Sequence, residues 1–105
     1  MDDTKTMNLF RFVHKEHGRI VSSVYMYTVD LPTRHLGVIE EVNTEERFRG
    51  KGFATNLIKQ AIAKGIELKL DCIELNVSEY KPKLHKFYEK FGFEDRKNKA
   101  FRLAL

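Results

Sequence analysis

The spacing of apolar residues changes abruptly at Gly50–Gly52, and that change constrains the fold more than any other feature. Before it, short runs alternate. Leu9–Val13 is rich in strand formers, and Ile20–Val29 is rich in Val, Tyr and Ser. In the second run Ile20, Ser22, Val24, Met26 and Thr28 share one side, and Val21, Ser23, Tyr25 and Tyr27 the other. Gly18 supplies a turn between the two runs, Pro32 ends the second, and Leu36–Asn43 reads as a third strand. After Gly52 the period becomes helical. Phe53, Ala54, Leu57, Ile58, Ala61, Ile62 and Ile66 recur on one face, with Gly65 at or near the helix end. Cys72–Val77 predicts a fourth strand. Leu84, Phe87, Tyr88 and Phe91 predict a second helix, opened by Pro82 and closed by Gly92. Phe93–Leu105 predicts one or two closing strands, interrupted by Arg96–Lys99. The fold class is therefore mixed α/β: an antiparallel β-meander, a β-α-β crossover, a second helix and C-terminal strand(s).

A chain of 105 residues suits one domain, expected over 7–105 behind a flexible tail, 1–6. With 42% hydrophobic and 32% charged residues it can form a core, which argues against wholesale disorder. No apolar run reaches the roughly 18 residues of a membrane span, and the acidic, polar N-terminus does not read as a targeting signal. Cys72 is the single cysteine, so no intrachain disulfide or multi-cysteine zinc site is available. His14, His17, His35 and His85 show no metal spacing. The expected location is the cytoplasm, with no metal and no membrane partner. The net charge of +4 is unevenly spread. Lys81–Lys99 holds seven Lys/Arg and three acids, and Glu40–Glu46 four acids and no base. A basic segment suits a nucleic acid, a phosphate-bearing cofactor or an acidic partner.

Chemistry concentrates at Arg49-Gly50-Lys51-Gly52-Phe53-Ala54-Thr55, between a strand and a helix. Glycines there let a ligand approach the backbone, and the free N–H groups of a helix start favour an anion such as phosphate. The segment is neither a Walker A loop, since Gly52 follows Lys51, nor a dinucleotide fingerprint, since Thr55 stands where a third glycine belongs.

This segment resembles the central motif of the GNAT superfamily of N-acetyltransferases, Arg/Gln-x-x-Gly-x-Gly/Ala, with Arg49, Gly52 and Ala54 at its fixed positions. Leu84–Phe93, which contains Tyr88-Glu89-Lys90-Phe91-Gly92-Phe93, is similar to the family's second signature. Gly18–Val21 resembles the turn between the family's second and third strands. The resemblance spans about residues 9–105.

The resemblance implies acetyl-CoA or another acyl-CoA as co-substrate. The backbone of Arg49, Gly50, Lys51, Gly52, Phe53, Ala54 and Thr55 would bind the pyrophosphate. Val42 and Thr44 would pair with the pantetheine arm where the third and fourth strands splay apart, and an amide near Val42 would polarise the thioester carbonyl. Tyr88 matches the general acid; packing on the sheet is its alternative. Glu40 or Glu41, on opposite faces of a regular strand, would supply the base, Glu40 having the better parity; solvated carboxylates are the alternative. Asn76 and Tyr80 could line the cleft, and Lys81 or Lys83 could meet a CoA phosphate. Lys81 stands where the family has an asparagine, and the family's first strand and first two helices have no counterpart in this sequence. The amine acceptor is thus open, with protein or peptide amines favoured by an open face.

The implied activity is acyl-CoA-dependent N-acyl transfer by direct attack. The alternatives are an inactive relative that binds a protein partner and a nucleic-acid module on Lys81–Lys99. The last is disfavoured because Phe87 and Phe91 have core spacing. A homodimer or another protein partner is expected through the edge at Leu9–Val13, although Arg11 and Lys15 put charge there.

Overall fold

The computed structural model describes residues 7–105; the expected tail, 1–6, lies outside them. The chain forms two compact units, the first ending at Leu75 and the second running from Asn76 to Leu105.

In the first unit, β1 (Met7–Glu16), β2 (Arg19–Leu31) and β3 (Arg34–Thr44) are followed by a single 3-10 turn (Glu46–Phe48), α1 (Phe53–Glu67) and β4 (Cys72–Glu74). The sheet order is β1-β2-β3-β4. The first three strands are antiparallel and β3 pairs β4 in parallel, so the expected meander and crossover are both present. The β1–β2 connection is two residues long. His17 and Gly18 both adopt positive φ, 51° and 77°, as the tightest hairpins require.

The helix α1 covers one face of the sheet. Its Leu57, Ile58, Ala61 and Gly65 are buried, and so are Ser22, Val24, Met26 and Thr28 of the β2 face read from the alternation; at the strand start the reading fails, since Val21 is buried and Ile20 only half-buried where the β1–β2 register shifts. Two glycines let the layers close together. A Cβ on Gly65 would stand 2.8 Å from Ile73 Cδ1, and one on Gly37 2.8 Å from Leu70 Cδ1. Gly65 therefore serves packing and does not end the helix, which runs on to Glu67. The stop is Lys69, at φ 59°, with Leu70 N–H donating to Gly65 O (2.9 Å) and Lys69 N–H to Ile66 O (3.0 Å). That is a Schellman ending with lysine where glycine is usual. Ile66, expected on the packed face, is 73% exposed. Each i+4 step rotates a residue by about 40°, and Ile58-Ile62-Ile66 drifts off the buried stripe.

The fourth strand is shorter than the expected Cys72–Val77. Its pairing stops at Val38↔Glu74, just before β3 departs from regularity. Tyr25 faces Glu40 and Ser23 faces Asn43, so Val24 opposes both Glu41 and Val42. Glu41 has φ 52°. This is a β-bulge, and it interrupts the alternation of β3.

In the second unit, α2 (Pro82–Glu89) begins with Pro82 in its first turn, as expected. The closing strand expected within Phe93–Leu105 does not form. Lys97, at φ 58°, donates its N–H to Asp95 Oδ1 (2.8 Å), so neither residue is in a regular strand conformation with free ladder groups. Phe101, Leu103 and Leu105 stand exposed, without the ladder partner that makes an alternating sequence a strand. Among the described residues no helix is long and apolar enough to cross a membrane.

At the far end of the first unit, His35 Nδ1 and Asp30 Oδ1 share a 2.6 Å hydrogen bond across the β2–β3 hairpin. That bond, then the charges of Asp30 and Asp71, hold the imidazole pKa above its ordinary 6.5. The folded-state pKa is raised, so the stabilisation is complete below the unfolded value and is lost as pH rises through the folded one. The thermal midpoint of Asp30→Asn should therefore lie below that of the wild type in mild acid. The gap should close as pH rises past the His35 titration, and a gap independent of pH would exclude the linkage.

Candidate functional site

Between β3 and α1 the chain needs a sharp change of direction, and glycine supplies it. Gly50 and Gly52 have φ of 76° and 84°, where side chains are strained, and a Cβ on either would meet nothing within 4 Å. These glycines thus answer to backbone conformation and leave open space in front of the loop. Gly52 is the N-cap of α1 and makes no side-chain capping bond; the first helical bond is Asn56 N–H to Gly52 O, 3.0 Å. The N–H groups ahead of it have no acceptor within the helix. Their dipoles add to a positive helix end that faces solvent.

Cations surround this turn. Arg49 Nε donates to Thr44 O at 3.0 Å and ties the loop to the end of β3. Arg47, Lys51 and Arg19 lie over the Phe48 ring, at 5.0, 5.5 and 5.9 Å from its centroid. Arg19, from the β1–β2 hairpin, is also ion-paired with Glu45. At the start of α1, the Phe53 ring stacks on His14, with centroids 3.8 Å apart. His14 Nε2 is 3.0 Å from Glu16 Oε1, and this hydrogen bond is the main cause that lowers the Glu16 pKa.

Among the residues expected from the sequence, Val42, Thr44, Arg49, Gly50, Lys51, Gly52, Phe53, Ala54 and Thr55 lie together along the β3–α1 connection. Thr44 Oγ1 is hydrogen-bonded to Ser22 Oγ at 2.7 Å. Beyond Val38 the β4-side edge of β3 carries no ladder partner among the described residues, because β4 ends at Glu74. Glu40, paired with Tyr25, lies on the sheet face away from α1, next to buried Ile39 on the α1 side. Glu41 sits in the bulge, so the simple opposite-face reading does not hold; both carboxylates are exposed.

Asn76, Tyr80, Lys81, Lys83 and Tyr88 belong to the second unit. Asn76, Lys81 and Lys83 are exposed, and Tyr80 is 84% exposed. The segment ahead of α2 is fixed by Lys81 N–H to Ser78 O (3.1 Å) and by His85 Nε2, 2.8 Å from the same carbonyl. The Tyr88 ring is buried, edge-on to Phe87 at 5.0 Å and to Phe93 at 6.0 Å. Burial raises its phenol above the ordinary 10. Its hydroxyl makes no hydrogen bond among the described residues. No buried side-chain oxygen or nitrogen there lacks a partner, so this hydroxyl reaches solvent. Among the described residues no group of three or more His, Cys, Asp or Glu is placed to hold a metal ion.

A glycine-opened helix start whose adjoining loop carries Arg47, Arg49 and Lys51 is a setting that favours an anion. The family model described as Acetyltransferase (GNAT) family matches residues 2–93. The chain belongs to the GNAT family. Among solved structures, an acetyltransferase of Trypanosoma brucei is 29% identical, with TM-score 0.79, over 95% of this chain and 70% of that one. A transcriptional regulator of Bacillus halodurans C-125 is 24% identical, with TM-score 0.82, over 98% and 69%. A Clostridium acetobutylicum protein described as an acetyltransferase, whose crystal structure contains acetyl-CoA, is 24% identical, with TM-score 0.77, over 90% and 64%. The last two speak for the fold alone. No curated protein matches significantly. The GNAT fold and family support acyl transfer from a CoA thioester in general.

Sequence reasoning missed Arg19, Arg47, Phe48 and His14. Arg47 and Phe48 adjoin the glycine motif and were within reach of it. Arg19 and His14 come from the distant hairpin, and only the strand register brings them to the loop.

Proposed function

We propose that this chain is an N-acetyltransferase that transfers the acetyl group of acetyl-CoA to an amine. The observation that carries the reading is the uncapped, glycine-opened start of α1 beside Arg19, Arg47, Arg49 and Lys51. The pyrophosphate takes the amides from Arg49 to Thr55. The pantetheine arm lies along the unpaired edge of β3 at Val42 and Thr44. The amine nitrogen attacks the thioester carbonyl carbon, a C–N bond forms, and the C–S bond breaks. An amide near Val42 stabilises the oxyanion. Glu40, directly or through water, takes the proton that the amine loses; the family's second signature, which Leu84–Phe93 resembles, gives Tyr88 the role of protonating the departing sulfur. Self-association belongs to the same proposal: β1 is an edge strand on which Met7 and Leu9 stand exposed.

Acetyl-CoA should raise the thermal midpoint in a concentration-dependent manner. Gly52→Val should lose that shift, with CoA affinity down about tenfold or more, because a β-branched residue at φ 84° reshapes the loop that meets the phosphates. Calorimetry on variant and wild type, with circular dichroism to confirm folding, is the measurement. Equal affinities would put the coenzyme elsewhere.

A further inference from the structure

The sheet face away from α1 carries a charged row outside the glycine loop. Arg11 on β1 pairs with Tyr25 on β2, and Tyr25 pairs with Glu40 on β3, so the three stand side by side across three strands. The Arg11 guanidinium lies over the Tyr25 ring, 5.3 Å from its centroid, which brings the charge inward from the edge strand. The flanking rows are Leu9, Tyr27 and Val38 on one side and Val13, Ser23 and Asn43 on the other. Across these rows Arg11 is the one cation and Glu40 the one acid. Both are exposed, and Tyr25, Tyr27, Val13 and Val38 form a half-buried floor around them. Neither charge has an ion-pair partner among the described residues. Strand spacing sets their Cα positions roughly 10 Å apart, too far for easy mutual pairing and close enough for one small molecule to meet both.

Resting on the acetyl-transfer reading above, we propose that the acceptor is an amino acid, an amine that carries its own carboxylate. The carboxylate takes the Arg11 guanidinium, whose planar fork matches it with two parallel hydrogen bonds. The amine faces Glu40. Tyr25 is a positioning residue that holds the guanidinium over the middle strand. An alkylamine would leave Arg11 unanswered, and a diamine would bring a second cation against it, so the row selects against both. The bonds made and broken are those of the reaction above; the products are an N-acetyl amino acid, its carboxylate intact, and the free thiol of CoA.

The test is steady-state acetylation of amino acids and of the amines left when each loses its carboxylate: alanine with ethylamine, phenylalanine with phenethylamine, lysine with cadaverine. In the wild type kcat/KM should favour the amino acid by about tenfold or more in at least one pair, the scale of a hydrogen bond to a charged group. Arg11→Gln should bring that ratio close to one, and Arg11→Lys should restore part of it. Circular dichroism checks that both variants fold, and calorimetry that both still bind CoA. Equal values within every pair, a ratio that survives Arg11→Gln, or a wild type that binds CoA and acetylates no amino acid would overturn the proposal and leave the coenzyme site standing. A wild type that binds no CoA and acetylates nothing would sink the acetyl-transfer reading and this proposal with it.

Discussion

Tyr88→Phe should lower turnover by about 10²–10⁴-fold while leaving CoA affinity close to that of the wild type. The substitution keeps the ring, and with it the edge-on contacts to Phe87 and Phe93. It removes only a hydroxyl that makes no hydrogen bond among the described residues and reaches solvent. No buried partner is orphaned, so stability should barely change. On the proposed mechanism the loss falls on the step in which the sulfur leaves. Burial holds the phenol above 10, so the group stays protonated across the neutral range, as the proposed role requires. For the same reason, any fall in rate from Tyr88 ionisation should begin only in strongly alkaline solution. Steady-state rates on an amine acceptor, with calorimetric CoA binding, separate the two roles. Turnover unchanged in Tyr88→Phe would assign the residue to packing.

Most of the architecture is legible because local signals and tertiary packing agree. The β2 alternation names the face that α1 buries, and Gly18 and Pro82 fall where a tight turn and a first helical turn need them. What could not be read has particular physical causes. No glycine marks the bulge, because Glu41 adopts positive φ itself, so the parity of Glu40 and Glu41 looks regular in the sequence. Gly65 does lie near the helix end, but it answers to the close approach of Ile73, and the stop itself is a lysine. Phe101, Leu103 and Leu105 alternate like a strand, yet a strand also requires a neighbour, and a single sequence does not report one.

The loop divides in the same way. Its glycines and basic residues are contiguous and stand out at once. The ring of charge around Phe48 depends on a hairpin register that brings Arg19 to Glu45. Chain-local motifs give the part of an anion site made of backbone. The part made of converging side chains emerges only from the sheet.

Leu57→Ala should cost about 2–5 kcal/mol of stability. Leu57 is 1% exposed, beside Ile58 and Ala61, both fully buried, on the α1 face that covers β2. Truncation removes the transfer free energy of the lost carbons and leaves a cavity that neighbours locked against a sheet cannot fill. A fold of this size has about 5–15 kcal/mol in total, so the loss is a large fraction. The control is Ile66→Ala on the same helix. The sequence period puts Ile66 on the packed face, but it is 73% exposed, and its truncation should stay within about 0.5 kcal/mol of the wild type. Urea unfolding of both variants reads the difference as shifts in midpoint at unchanged slope. Similar losses at the two positions would mean that α1 is rotated from the orientation described. A negligible loss at Leu57 would mean that the α1 face is not the core.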